Sequence, residues 1–592
     1  MSILTRLSPT LLTKAALLRL GLLGCLTASS VWLGFFAFTP EQGLDFFKRY
    51  GYFTTLVTLG IWLFLLIRTT LSDLSRIRAH LPELAGVVLL ILSLISIYRW
   101  AEPEGFNIFS DEPSLAAGSL HIHQTRQFGL PVMAEYLDGE FAITSSSYSK
   151  RPFLYPFLVA TLHDLTGYRV ANTWLTNQLL AAAILGLLYR VGRHISGKWG
   201  GLLALLFFGS LPLFAHASIG AGLDLLNTFF LLMLLWLGIR YLDDPTGTAR
   251  AGAVAVTGVL LSQSRTEAII MVLPVALLLF WGWVKARNLI LPTSALLCPV
   301  LLIPTAWHLR IFQLDSKFFE FLDDRQPFGP QYLFGWKGAE SNLLNAFEFY
   351  LTPTDYHAMA GPLTIFALVA WGISVWWLLH GRRLSSALHS ALLIWGGGIL
   401  FHWLLIHCYY WGQLTDPLAS RFALPSLLLL ALGAPVALAL APKPRRRTLT
   451  LGMMTAALSI FVLISLPLFY YRNYSTYLPM PQEHEWAMDW AKNQDKATTL
   501  ILTKRPLPWI TEEYAVIDPW LAPQKIGQSL KQSPYQSVYA MQRILREPAT
   551  GQRYEEDAWE LPEGWRRAEL ISQHTISLNI YARIYRIAPI AQ

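Results

Sequence analysis

The stretch ELAGVVLLILSLISIYRWAEPEGFNIFSDEPS, residues 83–114, decides how the chain is to be read. From Leu84 to Tyr98 it holds only apolar, small and hydroxyl residues apart from the closing tyrosine, a composition that suits a helix crossing a bilayer. Shortly after come the adjacent carboxylates Asp111 and Glu112. Acids at a membrane boundary are costly to desolvate, and they mark work done there.

The whole chain repeats the apolar part of this pattern. It has 592 residues, 54% hydrophobic and 14% charged, with a mean hydropathy of +0.40. A soluble protein carries roughly a quarter charged residues. The expected fold is therefore a polytopic α-helical membrane protein. Apolar spans fall near 18–38, 51–68, 83–99, 172–190, 199–216, 222–240, 250–264, 266–284, 289–307, 361–379, 386–406, 419–441 and 448–470, about thirteen transmembrane helices. Lys14 and Arg19 precede the first run, which reads as a signal anchor. The net charge of +8 excludes nothing by itself, but the basic residues cluster in short loops and point to membrane topology, with no nucleic-acid partner. Arg76/Arg78, Arg190/Arg193/Lys198, Arg240/Arg250, Lys285/Arg287, Arg382/Arg383 and Lys443/Arg445–Arg447 share one side if the N-terminus is cytoplasmic; Lys48-Arg49 is the exception. Cys25, Cys298 and Cys408 show no disulfide or metal spacing.

This topology leaves three long segments outside: 100–171, 308–360 and 471–592. The last reads as a small α/β domain, with helical spacing over Glu483–Asn493, a strand over Thr498–Thr503, and a strand pair over Ala568–Ile571 and Ile576–Ile587. The expected domains are two additional N-terminal spans (1–82), a transmembrane unit (83–470) with outer loops 100–171 and 308–360, and an extracytoplasmic α/β domain (471–592).

Several charged residues gather on the outer side. Ser110 can cap a helix whose first turn holds Asp111 and Glu112, and the same helix start can aim a carboxylate into a cleft. Lys150-Arg151-Pro152-Phe153-Leu154-Tyr155 can bind an anionic headgroup or form an interfacial belt. Asp224 enters a span from the outer side and calls for a partner or a task. Arg265 and Glu267 can pair with each other. Arg421 opens a late span as an interface anchor or a phosphate ligand. His121 and His123, at i and i+2, face different ways along a helix, which disfavours a metal site.

In order and sidedness these segments resemble the GT-C glycosyltransferases, nearest the family 39-like group of protein O-mannosyltransferases and lipid A aminoarabinose transferases. The resemblance covers about residues 83–592 and rests on Asp111-Glu112, Lys150-Arg151-Pro152-Phe153-Leu154-Tyr155, Asp224, Arg421-Phe422-x-x-Pro425 and the outer C-terminal domain. It implies a GT-C architecture in a bacterial inner membrane and an inverting transfer of sugar from a polyprenyl-phosphate carrier to a lipid, glycan or protein on the extracytoplasmic face. It further implies Asp111 and Glu112 as catalytic residues, Lys150, Arg151, Arg265, Arg421 and Asp224 as substrate-binding residues, and no required cofactor, a divalent cation being disfavoured. Membrane lipids are expected partners. The chief rival is a multi-span transporter, whose functional charges would lie nearer the midplane. A polysaccharide polymerase or ligase is the nearer chemical alternative.

Overall fold

The computed structural model describes residues 13–71, 81–108, 111–314, 335–351, 361–471, 479–519, 526–527, 535–546, 553–555, 561, 563–577 and 579–589. Lipid offers no hydrogen bonds, so long apolar runs fold as helices that bond all their own backbone groups. Among the described residues eleven helices are long and apolar enough to cross a membrane, and twelve if Lys198–Gly209 and Pro212–Ile219, bent by 71°, form one span. The expected span at 250–264 is a helix of 17 residues, Thr248–Ser264, which lies almost wholly inside the protein.

Enclosure differs sharply among the spans. Asp224–Asp243 is 89% buried and Ser420–Leu440 is 78% buried, whereas the other spans range from 11% to 61%. These two central helices are the ones that open with Asp224 and with Arg421. An ion facing hydrocarbon is expensive, so the chain places its charged helix starts where protein replaces lipid. Around them, buried tryptophans find acceptors: Trp395 Nε1 donates to the Leu231 carbonyl at 2.8 Å and Trp62 Nε1 to Thr257 at 2.9 Å.

The polar layer is one eight-stranded sheet, ordered β2-β1-β4-β3-β5-β8-β7, with β6 paired to β5. Its strands are β1 (Leu130–Leu137), β2 (Glu140–Ser147), β3 (Thr499–Leu502), β4 (Ala515–Ile517), β5 (Ser537–Arg546), β6 (Arg553–Glu555), β7 (Trp565–Ser577) and β8 (Ile580–Pro589). β3 runs parallel to β4 and β5, and the other pairs are antiparallel. The expected strands at 498–503, 568–571 and 576–587 correspond to β3, β7 and β8. The sheet does not stop at residue 471, however. β4 is only three residues long, and β1 from the segment 100–171 pairs with it through Met133↔Ile517 and Ala134↔Val516. This pairing, across nearly 400 positions of chain, joins loop 100–171 to the C-terminal unit. Beneath the sheet, Ala117 and Leu120 of the Glu112–Thr125 helix pack with Ala487, Trp509, Ile510 and Val516. The helix that follows Asp111 is thereby clamped between membrane bundle and sheet.

Candidate active site

Asp111 stands at the N-cap position of the Glu112–Thr125 helix, but its carboxylate makes no capping bond to that helix. Ser110, the expected cap, lies outside the described residues. The Asp111 carboxylate turns instead to two guanidiniums. Oδ1 accepts from Arg151 Nε at 2.5 Å, and Oδ2 accepts from Arg421. Arg151 is presented by the turn at 149–151, where its own N–H donates to Ser149 Oγ at 3.2 Å and the buried His308 ring meets the Ser149 carbonyl at 3.0 Å. Arg421 arrives from a 3-10 turn, Ser420–Ala423, 310 positions away in sequence. Lys150 is half-buried in the same turn as Arg151.

The ionic chain continues inward. Arg421 lies 3.7 Å from Asp224, and Asp224 pairs closely with Arg265. Arg265 also binds Glu267, which lies 4.0 Å from His402. Three acids and three arginines thus alternate from Arg151 to Glu267, with Phe422 against Arg265 at 4.8 Å and Arg421 at 5.6 Å. A buried chain of this kind is weak evidence for stability, because desolvation cancels much of the attraction. It is better suited to exchange one anion for another. Arg421 is 6% exposed, and its Nε–H has no partner among the described residues. Such buried donors are rare unless something else fills them.

Glu112 plays a different part. It is 2% exposed, and its Oε2 accepts from the Asn107 N–H at 2.5 Å, with further backbone donors from Ile108 and Ala221. Asn177 holds the same turn from behind, donating to the carbonyls of Gly220 (2.8 Å) and Gly222 (2.9 Å). Burial pushes the Glu112 carboxyl up to about 7, against the backbone bonds that pull it down. The Asp111 carboxyl goes the other way: burial alone would raise it, but Arg421 and Arg151 outweigh burial and hold it well below the usual range. The two adjacent acids are therefore divided, one an ion held by arginines and the other near neutrality in a backbone cradle.

Two measurements test this cradle. A Cβ on Gly220 would stand 2.6 Å from Glu112 Oε1 and 3.0 Å from Asn107 Nδ2. Gly220→Ala is expected to cost about 1–3 kcal/mol and to lower the thermal midpoint more than Gly222→Ala, whose nearest contact is 3.2 Å. The second is pH dependence. A carboxyl whose folded pKa lies above its unfolded value of 4.5 keeps the folded protein more protonated between pH 4.5 and 7. Its contribution is present at low pH and is lost as pH rises through that window. Buried His121, His163 and His484, each lowered to about 4 by burial, act with the opposite sign over an overlapping range. The difference between wild type and Glu112→Gln isolates the carboxyl: wild type should lose stability relative to the variant from pH 5 to 7, and parallel curves would remove the assignment.

Of the residues singled out from sequence, Asp111, Arg151, Asp224, Arg265 and Arg421 converge directly, and Glu112 buttresses them. Arg265 and Glu267 do pair, but the pairing leads on to Asp224 and His402. Sequence reading missed a further acid–histidine pair near the Glu112 cradle. Glu102 and His216 meet at 2.8 Å, 2% and 3% exposed, and the Asn107 amide reaches the His216 carbonyl at 3.4 Å. The signal was available, since a histidine within an apolar run needs a partner. Among the described residues no group of three or more His, Cys, Asp or Glu forms a metal set.

The family model described as "Dolichyl-phosphate-mannose-protein mannosyltransferase" matches residues 150–308, the segment that carries Arg151, Asp224 and Arg265 and ends on His308. No curated protein matches the chain. Among solved structures, ArnT from Cupriavidus metallidurans bound to undecaprenyl phosphate is similar over 85% of this chain and 98% of its own, with a TM-score of 0.52 and 13% identity. The Archaeoglobus fulgidus oligosaccharyltransferase is similar at TM-score 0.43 and 13% identity, covering 78% and 72% of the two chains. Arabinosyltransferase EmbB from Mycobacterium smegmatis is similar at 0.38 and 12%, covering 81% and 47%.

Proposed function

We propose that this chain is a membrane glycosyltransferase of the GT-C type, which moves a sugar from a polyprenyl-phosphate carrier to an acceptor on the extracytoplasmic face of a bacterial inner membrane, inverting the anomeric centre; the partial family match over residues 150–308 and the fold shared with ArnT support this reading. The observation that carries this reading is Asp111 held between Arg151 and Arg421, with an unfilled Arg421 donor beside it. In the free enzyme these guanidiniums neutralise Asp111. A phosphate of the donor competes for them, and charge-assisted bonds to phosphate are strong enough to do so. Asp111, released, regains the basicity needed to take the proton of the acceptor nucleophile. The acceptor oxygen then bonds to the anomeric carbon, the carbon–oxygen bond to phosphate breaks, and the polyprenyl phosphate leaves with its charge met by arginine. Asp224 orders Arg421 and Arg265, and Glu112 fixes Asp111. Lys150 is assigned to the donor phosphate as a neighbour of Arg151. No metal is used in this scheme.

An apolar cavity of about 600 Å³ supports the carrier assignment. It lies between the helices Lys14–Phe35, Thr248–Ser264, Val272–Ala286 and 293–314, and follows the first from Leu23 to Phe35, about 18 Å. Its site-facing walls include Ile269 and Thr305, and Thr305 Oγ1 lies 3.4 Å from Ser262, three residues before Arg265. An isoprenoid tail would fit there with its phosphate turned to the arginines. The test is native mass spectrometry of the purified protein after incubation with a polyprenyl phosphate. Retention that survives removal of detergent is the expected result. A small soluble solute held in its place, with no polyprenyl phosphate, would overturn the reading in favour of transport.

A further inference from the structure

At the opposite end of the bundle lies a second cavity, of about 930 Å³, bordered by the helices Leu81–Ala101, Ala171–Ser196 and Asp224–Asp243. Asp224 opens the last of these at the ionic site, and the cavity meets the same helix at Phe229, Met233, Trp236 and Arg240. The intervening turns place Arg240, at the rim, about 24 Å along the helix from Asp224. The walls change character along that direction. Ala183, Gly186, Leu187, Phe229 and Met233 line the inner part, and Arg190, Arg193, Lys198 and Arg240 line the rim. Among the described lining residues Glu83 is the one carboxylate, and it is engaged by Arg193 at 2.9 Å and by the Tyr189 hydroxyl. Among the described lining residues the rim therefore carries four permanent cations and one acid.

Topology alone asks only that such cations lie near helix ends. It does not ask that two helices aim them at one point. Arg190 and Arg240 converge on the same indole, their guanidinium carbons 4.7 Å and 5.8 Å from the Trp236 ring. Like charges brought together at the mouth of an apolar cavity complement an amphiphile with an anionic head. The cavity is also open sideways, since Leu84 is 42% exposed and Ala183 is exposed on its wall. An acyl chain can enter from the bilayer without passing through water.

We infer that this cavity holds an anionic phospholipid, its phosphodiester at Arg190, Arg240 and Lys198 and its acyl chain along Leu187, Phe229 and Met233. Basic pockets between spans at a membrane surface are suited to such headgroups. The inference does not depend on the transferase chemistry at the other end. The test places the full-length protein in nanodiscs of phosphatidylcholine with a minor share of phosphatidylglycerol and counts retained lipids by native mass spectrometry. Phosphatidylglycerol should be retained preferentially. Arg190→Gln/Arg240→Gln should lose that preference by about tenfold, while Arg382→Gln/Arg383→Gln, an equal charge change on an exposed loop, should not alter it. Lys198→Gln, at the rim, should weaken it alone and serves if the double variant fails to fold. Equal retention of the two lipids, or an unchanged preference in folded Arg190→Gln/Arg240→Gln or Lys198→Gln protein, overturns the inference. Release of the lipid by excess inorganic phosphate would mark a free-anion site and overturn it as well.

Discussion

Asp111→Asn is expected to lower turnover by about 10²–10⁴-fold, the usual worth of a positioned general base, while polyprenyl-phosphate retention is kept or strengthened. Asn preserves the side-chain volume and leaves one oxygen to accept from a guanidinium. It removes the negative charge that competes with the donor phosphate for Arg151 and Arg421. Binding and chemistry should therefore separate, with kcat falling and donor affinity not. A pH profile adds a second check. In the free enzyme the two arginines depress Asp111, and in the donor complex they are shared with phosphate. The acid limb of kcat should then lie at higher pH than that of kcat/KM, because the two report the complexed and free enzyme respectively. Normal turnover in folded Asp111→Asn protein would remove Asp111 as the base, whatever else binds there.

What the sequence made legible is set by range along the chain. The spans were readable because lipid imposes one rule on each segment separately, and apolar length is visible locally. Asp111, Asp224 and Arg421 were readable for a related reason, Asp111 as an ion shortly after an apolar span and the other two as ions that open one. Their mutual arrangement was not. Nothing local distinguishes Arg421 bound to Asp111, 310 positions away, from Arg421 as an interface anchor. The same limit hid the union of β1 with β4, because a three-residue strand carries almost no periodic signal and its partner lies in a distant segment between apolar spans. Glu112 was grouped with Asp111 because the residues are adjacent. Successive helical positions point about 100° apart, and this difference sends one carboxylate to arginines and the other into backbone.

Arg421→Gln should be the most damaging single change, since Arg421 joins the two halves of the ionic chain. Without it Asp111 keeps only Arg151, whose side chain is 33% exposed, and Asp224 keeps only Arg265 among the ion pairs described. Breaking a buried pair from one side costs about 3–5 kcal/mol, so a large fall in thermal midpoint is expected. Loss of the leaving-group donor should lower kcat by a further 10²–10³-fold in the protein that remains folded, roughly the effect of deleting one donor to a developing oxyanion. Arg421→Lys separates the two effects. It keeps the charge and much of the stability, but a single ammonium cannot reach Asp111 and Asp224 together as a planar fork does. Its turnover should stay low and its donor retention should fall with it, whereas Asp111→Asn should lose turnover and keep retention. Combining Asp111→Asn with Arg421→Gln then decides whether base and phosphate clamp act as one unit. Coupled groups in contact give strongly non-additive losses, so the double variant should turn over little more slowly than the worse single variant. Additive losses would mean that Arg421 serves the phosphate without governing the basicity of Asp111, and the exchange of arginines between carboxylate and phosphate would have to be abandoned.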